Sequence, residues 1–183
     1  MLKKTARGFT LVELLIVIAI IAILAVVAFI VINPLELTRR ARDASRLSDI
    51  ASLQQAITVA VQEATSTPNQ VLCVGGGNVC QGRSNVDSRN SNGTGWVRVD
   101  LSSQQAVSVP TLPIDPNDGL QFHYTYCADT GLTGITADWV IFTTLESTQQ
   151  SGKMTTDGGP DDTKFEAGTK LSLSGVAPCT YNP

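Results

Sequence analysis

The first residue with clear chemical potential is Glu13, a carboxylate within the long apolar run that follows a short basic stretch. An Asp, Lys or Arg at the centre of a membrane-spanning helix costs roughly 2.5–3.5 kcal/mol. A carboxylate in such a position therefore needs a positively charged or hydrogen-bonding partner. Finding that partner is the main question raised by the N-terminal sequence.

Other reactive side chains are few and scattered. His123 is the only histidine, the sequence has no C-x-x-C motif, and a zinc site would have almost no ligands. The glycine-rich residues 73–80 lack the G-x-x-x-x-G-K-[ST] pattern of a phosphate-binding loop. No nucleophile, base and acid form a recognisable set, so we predict that the chain is not an enzyme and that His123 packs in a strand.

The four cysteines all lie in the polar part of the chain, and their number is even. Disulfides formed outside the cytoplasm are the best interpretation of this pattern. We favour pairing of the close residues Cys73 and Cys80 and of the distant residues Cys127 and Cys179. Three connectivities are open to four cysteines, and the sequence does not exclude the other two.

Charge is distributed unevenly along the chain. Seven basic residues lie within the first 46 positions, whereas six basic and thirteen acidic residues follow, a balance of −7. Phosphate binding requires Lys and Arg. The acidic C-terminal part therefore argues against nucleic acid as a partner.

A long apolar helix is predicted to position Glu13. Residues 14–32 contain no charge and no proline, and as a helix they would be about 28 Å long, close to the ~30 Å core of a bilayer. A cleaved secretory signal peptide fits poorly, because the apolar run is too long and Glu13 interrupts its start. A plain membrane anchor, with Glu13 at the interface, is a second explanation.

The helix is predicted to change character at Pro34, where a kink or local unwinding is expected. Beyond it, apolar residues at helical spacing should pack on a sheet, and the helix should end near Ala64. Several charged residues just past the span are predicted to form a solvated collar near lipid headgroups, or to pair with acidic heads of neighbouring subunits. They are Glu36, Arg39, Arg40, Arg42, Asp43 and Arg46.

The remaining chain has the composition of a small antiparallel sheet. Residues 96–101, 122–127, 138–146 and 170–175 are the predicted strands, and residues 112–119 are turn-forming. The polar residues 81–95 are predicted to be an exposed loop, which contains the N-glycosylation sequon Asn92-Gly93-Thr94, a motif short enough to arise by chance. The predicted fold class is α+β, with a long N-terminal helix packed on an antiparallel β-sheet head.

The sequence "G-FTLVE-LLIVIAIIAIL" resembles the N-terminus of type IV pilins and major pseudopilins. The resemblance implies that a membrane peptidase cuts after Gly8 and that Phe9 becomes an N-methylated N-terminus. Glu13 is then the fifth mature residue, and the new amine of Phe9, in the same or a neighbouring subunit, is its expected partner. This third explanation gives Glu13 a role in assembly.

The resemblance also implies a division of the chain and a set of partners. Residues 1–8 would be the leader, 9–32 the transmembrane and polymerisation helix, 33–64 the amphipathic helix and 65–183 the extracytoplasmic head. The implied function is that of a subunit of a type IV pilus-like filament, or of a major pseudopilin of type II secretion. Its partners would be other copies of the chain, the prepilin peptidase and methylase, an inner-membrane assembly platform and, before assembly, the bilayer. A membrane-anchored binding domain is the alternative of another class.

An acidic loop in residues 155–169 contains Asp157, Asp161, Asp162 and Glu166 beside two glycines. Major pseudopilins bind calcium in a loop in this region, and calcium takes several oxygen ligands. The resemblance therefore makes these four residues candidate calcium ligands. The alternative is an acidic surface turn without a metal.

Overall fold

The computed structural model contains two long helices, a short third helix and a four-stranded sheet. It describes residues 8–64, 68–77, 79–104, 106, 108–119, 121–129, 131, 138–174 and 179. The chain divides into two compact units, Met1–Thr38 and Arg39–Pro183. The elements are α1 (Leu11–Ile32), α2 (Pro34–Glu63), α3 (Pro68–Leu72), β1 (Val79–Arg83), β2 (Thr125–Asp129), β3 (Asp138–Thr143) and β4 (Phe165–Gly168).

Helix α1 has no buried residue over its whole length. Its side chains are aliphatic on every side, with the exception of Glu13 and Phe29. The helical region Leu11–Glu63, which is interrupted at Asn33, contains a segment long and apolar enough to cross a membrane. A helix that is hydrophobic all round requires lipid or protein around it.

A single residue, Asn33, separates α1 from α2. Asn33 is in the left-handed conformation (φ 43°, ψ 77°) that often ends a helix. Its carbonyl and its Oδ1 accept hydrogen bonds from Glu36 N at 3.0 and 3.4 Å. Pro34 then begins α2. The backbone N–H at the first position of a helix has no partner within the helix, so proline loses no hydrogen bond there. The interruption predicted at Pro34 is confirmed.

Within the second unit, α2 buries one stripe against the sheet. Its fully buried apolar residues are Ile50, Leu53, Ala56, Ile57 and Ala60. They form one core with aromatic side chains from the head, including Trp96, Tyr124, Tyr126 and Trp139. The predicted packing of the amphipathic stripe on the sheet is therefore confirmed, and the helix ends at Glu63, one residue before the predicted end.

The sheet is antiparallel in the order β1-β2-β3-β4, and only its two central strands were located correctly from the sequence. Residues 96–101 form no strand, although Trp96, Val97, Val99 and Leu101 are fully buried. The predicted strand at 170–175 contains a 3₁₀ turn at Leu171–Leu173. The apolar composition of these two segments reflects burial and was misread as strand pairing.

The outer strands β1 and β4 were missed because they are short and contain glycine. A Cβ atom at Gly82 would overlap the backbone of Trp96, and one at Gly168 would overlap the backbone of Trp139. Glycine in a strand often marks such a close approach of two backbones. Part of the predicted exposed loop at 81–95 is therefore the edge strand β1.

Two disulfides join the elements of the head. Cys73, just after α3, is bonded to Cys80 in β1, and Cys127 in β2 is bonded to Cys179, with Cα–Cα distances of 5.7 Å in both cases. This is the pairing favoured from the sequence. The second bond connects positions 52 residues apart, so it ties the C-terminal part of the chain to the centre of the sheet.

A buried ionic cluster connects α2 to the head. Arg46 donates from Nε and Nη2 to the two carboxylate oxygens of Asp115, both at 2.7 Å, and from Nη1 to Asp43 at 2.7 Å. Its Nη2 also reaches Glu146 at 2.6 Å, and the guanidinium lies 5.0 Å from the centre of the Phe122 ring. The side chains of Arg46, Asp43 and Asp115 are completely buried.

Further bonds close the ionic cluster, which we define as Arg42, Asp43, Arg46, Asp115 and Glu146. Asp43 accepts the backbone N–H groups of Glu146 and Ser147 at 2.9 and 2.7 Å, and Arg42 Nε donates to Glu146 at 2.9 Å. Burial alone would lower the pKa of Arg46, but its hydrogen bonds with Asp115 and Glu146 outweigh burial and raise that pKa. The predicted solvated collar is thus wrong for Arg42, Asp43 and Arg46, which pair within the chain.

Replacing Arg46 with alanine is expected to lower the free energy of unfolding of the head by about 3–5 kcal/mol, because buried Asp43 and Asp115 would lose their positive partner. The full chain in detergent micelles would be unfolded with urea and followed by tryptophan fluorescence. Lys170→Ala is the control, since the Lys170–Asp138 pair is partly exposed (48% and 29%) and should contribute at most about 1 kcal/mol. Equal losses in both variants would contradict this account.

Candidate processing and assembly site

The start of α1 presents the predicted processing site on the surface. Gly8 is exposed, and a Cβ atom added to it would meet nothing within 4 Å. The next residue, Phe9, is 82% exposed. The bond that joins these two residues is therefore not covered by any part of the chain that the structure describes, and larger side chains at position 8 would fit without a clash.

The structure supplies Glu13 with a partner that the sequence analysis missed. Thr10 is the N-cap of α1, with extended backbone angles (φ −86°, ψ 151°). Its backbone N–H and its hydroxyl both donate to Glu13 Oε2 at 2.8 Å, and its Oγ1 accepts from Glu13 N at 3.3 Å. This reciprocal arrangement is a capping box, and the T-x-x-E pattern before an apolar run is its sequence signal.

The capping box leaves part of the carboxylate available. Glu13 Oε2 accepts both bonds from Thr10, whereas Oε1 accepts none from the described residues. The side chain of Glu13 is also exposed. A further donor can therefore bind Oε1 without breaking the cap.

The charges at the N-terminal end of α1 favour binding of a positive group to Glu13 Oε1. A helix N-terminus has partial positive charge, which favours a carboxylate such as that of Glu13. Cleavage after Gly8 would create a positive amine at Phe9, next to the same end of the helix. That amine would be disfavoured there unless a carboxylate offset its charge, and Glu13 is the acidic residue in the first turn of α1.

Comparison with protein families bears on this segment. Residues 3–29 match the model of the prokaryotic N-terminal methylation motif. The segment is a prepilin-type methylation motif. The match includes Gly8, Phe9, Glu13 and most of α1, and the methylation motif implies a substrate of a prepilin peptidase. Proteins with this motif are structural rather than catalytic.

Comparisons of the chain with curated proteins and with solved structures give no significant match. The methylation motif covers residues 3–29, and the head lies outside it. The match therefore assigns no role to the head.

The acidic loop is organised by backbone hydrogen bonds. Asp157 accepts the N–H groups of Gly159 and Glu166 at 3.0 and 2.7 Å. Asp161 accepts the N–H and the hydroxyl of Thr163 at 2.9 and 2.6 Å. Among the described residues, no group of three or more His, Cys, Asp or Glu side chains is placed to hold a metal ion.

The four candidate ligands, Asp157, Asp161, Asp162 and Glu166, therefore do not form a preformed metal centre. The carboxylates of Asp157 and Asp161 are occupied in shaping their own loop. Calcium binding by the head stays a prediction from the resemblance.

Glu166 itself is unusual among these residues. It is 2% exposed, and within the described part of the chain neither of its carboxylate oxygens accepts a hydrogen bond of normal geometry. Its carboxyl group lies against Gly159, where an added Cβ would overlap it. Burial, followed by the negative charge of Asp157, raises the pKa of Glu166 to about 7. The site therefore favours the protonated carboxylic acid.

The pKa of Glu166 predicts how the stability of the head varies with pH. An ordinary glutamate in the unfolded chain titrates near 4.5, so the stabilisation from the protonated folded form is complete below pH 4.5 and is lost as the pH rises through about 7. We expect Glu166→Gln, which stays neutral, to be more stable than the parent chain by roughly 3 kcal/mol at pH 8 and about equal to it at pH 4.

Urea unfolding of the full chain in detergent at several pH values would measure this difference. Gln149→Ala, a change to an exposed side chain of the head that carries no titrating group, is the control and should keep the pH dependence of the parent chain. A constant difference between Glu166→Gln and the parent chain from pH 4 to pH 8 would show that Glu166 does not titrate as described.

His123 is the remaining residue of the head that the sequence singled out. His123 is 2% exposed and lies two positions before β2, so it is buried as expected but lies outside a strand. Its carbonyl accepts the hydroxyl of Thr143 at 3.1 Å. These contacts connect the chain before β2 to the end of β3, which is a structural role.

Proposed function

We propose that this chain is a structural subunit of a type IV pilus-like filament. In this proposal it is processed after Gly8, N-methylated at Phe9 and polymerised through residues 9–64. The observation that supports it most is the methylation motif at residues 3–29, placed on a helix that has no buried residue. Before assembly the chain would be a single-pass membrane protein, and afterwards part of an extracellular or periplasmic filament.

The surface of α1 supports assembly as well as anchoring. The large apolar side chains from Phe9 to Ile32 are between 47% and 82% exposed. An apolar surface of this extent marks a membrane or protein contact, and its burial contributes about 25 cal/mol per Å². Lipid would cover it in the precursor, and the same helices of other copies would cover it in the filament.

When α1 leaves lipid and packs against other copies of α1, a pair of polar groups is needed to favour the association. Lipid tails are as apolar as leucine side chains, so the hydrophobic effect does not by itself favour helix association within a membrane. It also does not fix the axial register of one apolar helix against another. A bond between Glu13 of one copy and the Phe9 amine of the next would do both, and the second oxygen of Glu13 is available for it.

Two substitutions separate capping from assembly. Glu13→Gln removes the charge but keeps a side chain that can close a capping box, so we expect normal membrane insertion and filaments reduced by a factor of about 10 or more, the effect of losing a charged hydrogen bond. Thr10→Val removes the capping hydroxyl and keeps the charge, so filaments should form. Shearing of cells followed by immunoblotting of both fractions measures this. Normal filaments from Glu13→Gln would refute the assembly role of Glu13.

The intact mass of the chain tests processing directly. We expect the sheared extracellular fraction to contain a species that begins at Phe9 and is one methyl group heavier than the unmodified chain. Gly8→Val should remain uncut, and because the space around Gly8 is open, that loss would reflect the peptidase and not a folding defect. An uncut parent chain, found only in membranes, would establish an ordinary anchor instead.

The two alternatives differ in what they predict. A major pseudopilin of type II secretion would use the same helix, and residues 112–116 (LPIDP) resemble a segment of major pseudopilin heads. Asp115 of that segment belongs to the buried ionic cluster, so packing accounts for it. A membrane-anchored binding domain predicts that Glu13→Gln has no effect on the distribution of the chain.

A further inference from the structure

We propose that Asn92 in the head is a site of N-linked glycosylation. Asn92, Gly93 and Thr94 form the acceptor sequon, whose central residue must not be proline. The side chains of Asn92 and Thr94 are exposed, while Gly93 between them is buried. The two side chains that an oligosaccharyl transferase must reach are therefore both on the surface of the folded head.

The two side chains of the sequon are already in contact. Asn92 Oδ1 accepts the hydroxyl of Thr94 at 2.7 Å and the N–H of Thr94 at 3.2 Å. The hydroxyl of Thr94 also accepts the Asn90 amide at 3.3 Å. The Nδ2 amide of Asn92, which is the atom to be modified, donates to no described residue. A sugar on Nδ2 would therefore break no hydrogen bond of the fold.

The backbone on both sides holds this turn in place. Gly93 has a positive φ of 81°, and a Cβ atom there would overlap the side chain of Val74. The preceding Ser91 is buried and donates to the carbonyl of Pro110 at 3.2 Å, and its own carbonyl accepts Leu101 N at 2.6 Å. The sequon is thus presented by a fixed turn, with its polar side chains directed outward.

Space for a first sugar lies next to the amide. An open groove of about 330 Å³ is lined by Arg89, Asn90, Ser91, Asn92, Pro110 and Thr111. The guanidinium of Arg89 can donate to sugar hydroxyls, and the amide and hydroxyl side chains can both donate to them and accept from them. The groove would let the first sugar pack on the head.

The reaction requires a lipid-pyrophosphate-linked oligosaccharide as the donor. The Asn92 amide nitrogen attacks the anomeric carbon of the first sugar, a C–N bond forms and the C–O bond to the pyrophosphate breaks. The lipid pyrophosphate leaves with the electron pair of that bond, and a base of the transferase takes one Nδ2 proton. Hydrogen bonds from Thr94 to Oδ1 stabilise the negative charge that the amide oxygen gains as this proton is removed.

The inference depends on the proposed extracytoplasmic position of the head, because the acceptor must be on the side of the membrane where the transferase acts. Trypsin cleavage after Arg89 and Arg98 isolates the sequon in peptide 90–98. We expect this peptide, from the chain expressed in its native host, to have the added mass of a glycan. Asn92→Gln and Thr94→Ala should lose the added mass, whereas Thr94→Ser and the control Asn90→Gln should keep it.

An unmodified peptide 90–98 in the parent chain overturns the proposal, and so does an added mass that persists in Asn92→Gln. The same spectra record the N-terminus and the state of the cysteines. A chain cut before Phe9, with both disulfides formed and peptide 90–98 unmodified, would overturn glycosylation and leave the proposed function intact. Tryptophan fluorescence of each variant verifies that the head has folded.

Discussion

The rest of this structure depends on one constraint, the need to cover the apolar surface of α1. No residue of that helix is buried by the chain itself. In water its large apolar surface would therefore be exposed to solvent. Lipid and other copies of the helix are the two environments that can cover it. Because both are apolar, the proposed assembly would depend on polar groups at the end of α1, where Thr10 and Glu13 form the capping box. A cap and an assembly contact can thus share one carboxylate.

In the head, the main requirement is that the sheet stays in one position against one face of α2. Apolar side chains of α2 and the head form the core, and the ionic cluster adds directional hydrogen bonds between them. Arg46 binds Asp43 in its own helix and Asp115 and Glu146 in the head. Such a cluster stabilises little compared with an apolar replacement, but its hydrogen bonds hold Asp115 and Glu146 of the head beside the helix. The disulfides then join the residue after α3 to β1, and Cys179 to β2, inside the core.

Sequence reasoning succeeded where the signal is local or repeats along the chain. The apolar run, the break at Pro34 and the buried stripe of α2 follow from residue type and spacing alone. It failed at β1 and β4, which contain glycine and pair only because neighbouring backbones approach closely. It also assigned Arg46 to solvent, because nothing in the local sequence indicates that Asp115 would lie beside it.

The sequence by itself therefore determined the methylation motif, the membrane-compatible helix and the α+β class, since these depend on short patterns and on hydrophobicity. Only the tertiary structure decided which charges are paired, which segments are strands and how the acidic loop is arranged. Glu166 shows the reason most clearly. Burial against Gly159 and the nearby charge of Asp157 raise the pKa of its carboxyl group, and its sequence neighbours give no sign of that burial. Burial and long-range contacts are properties of the folded chain, and no local pattern encodes them.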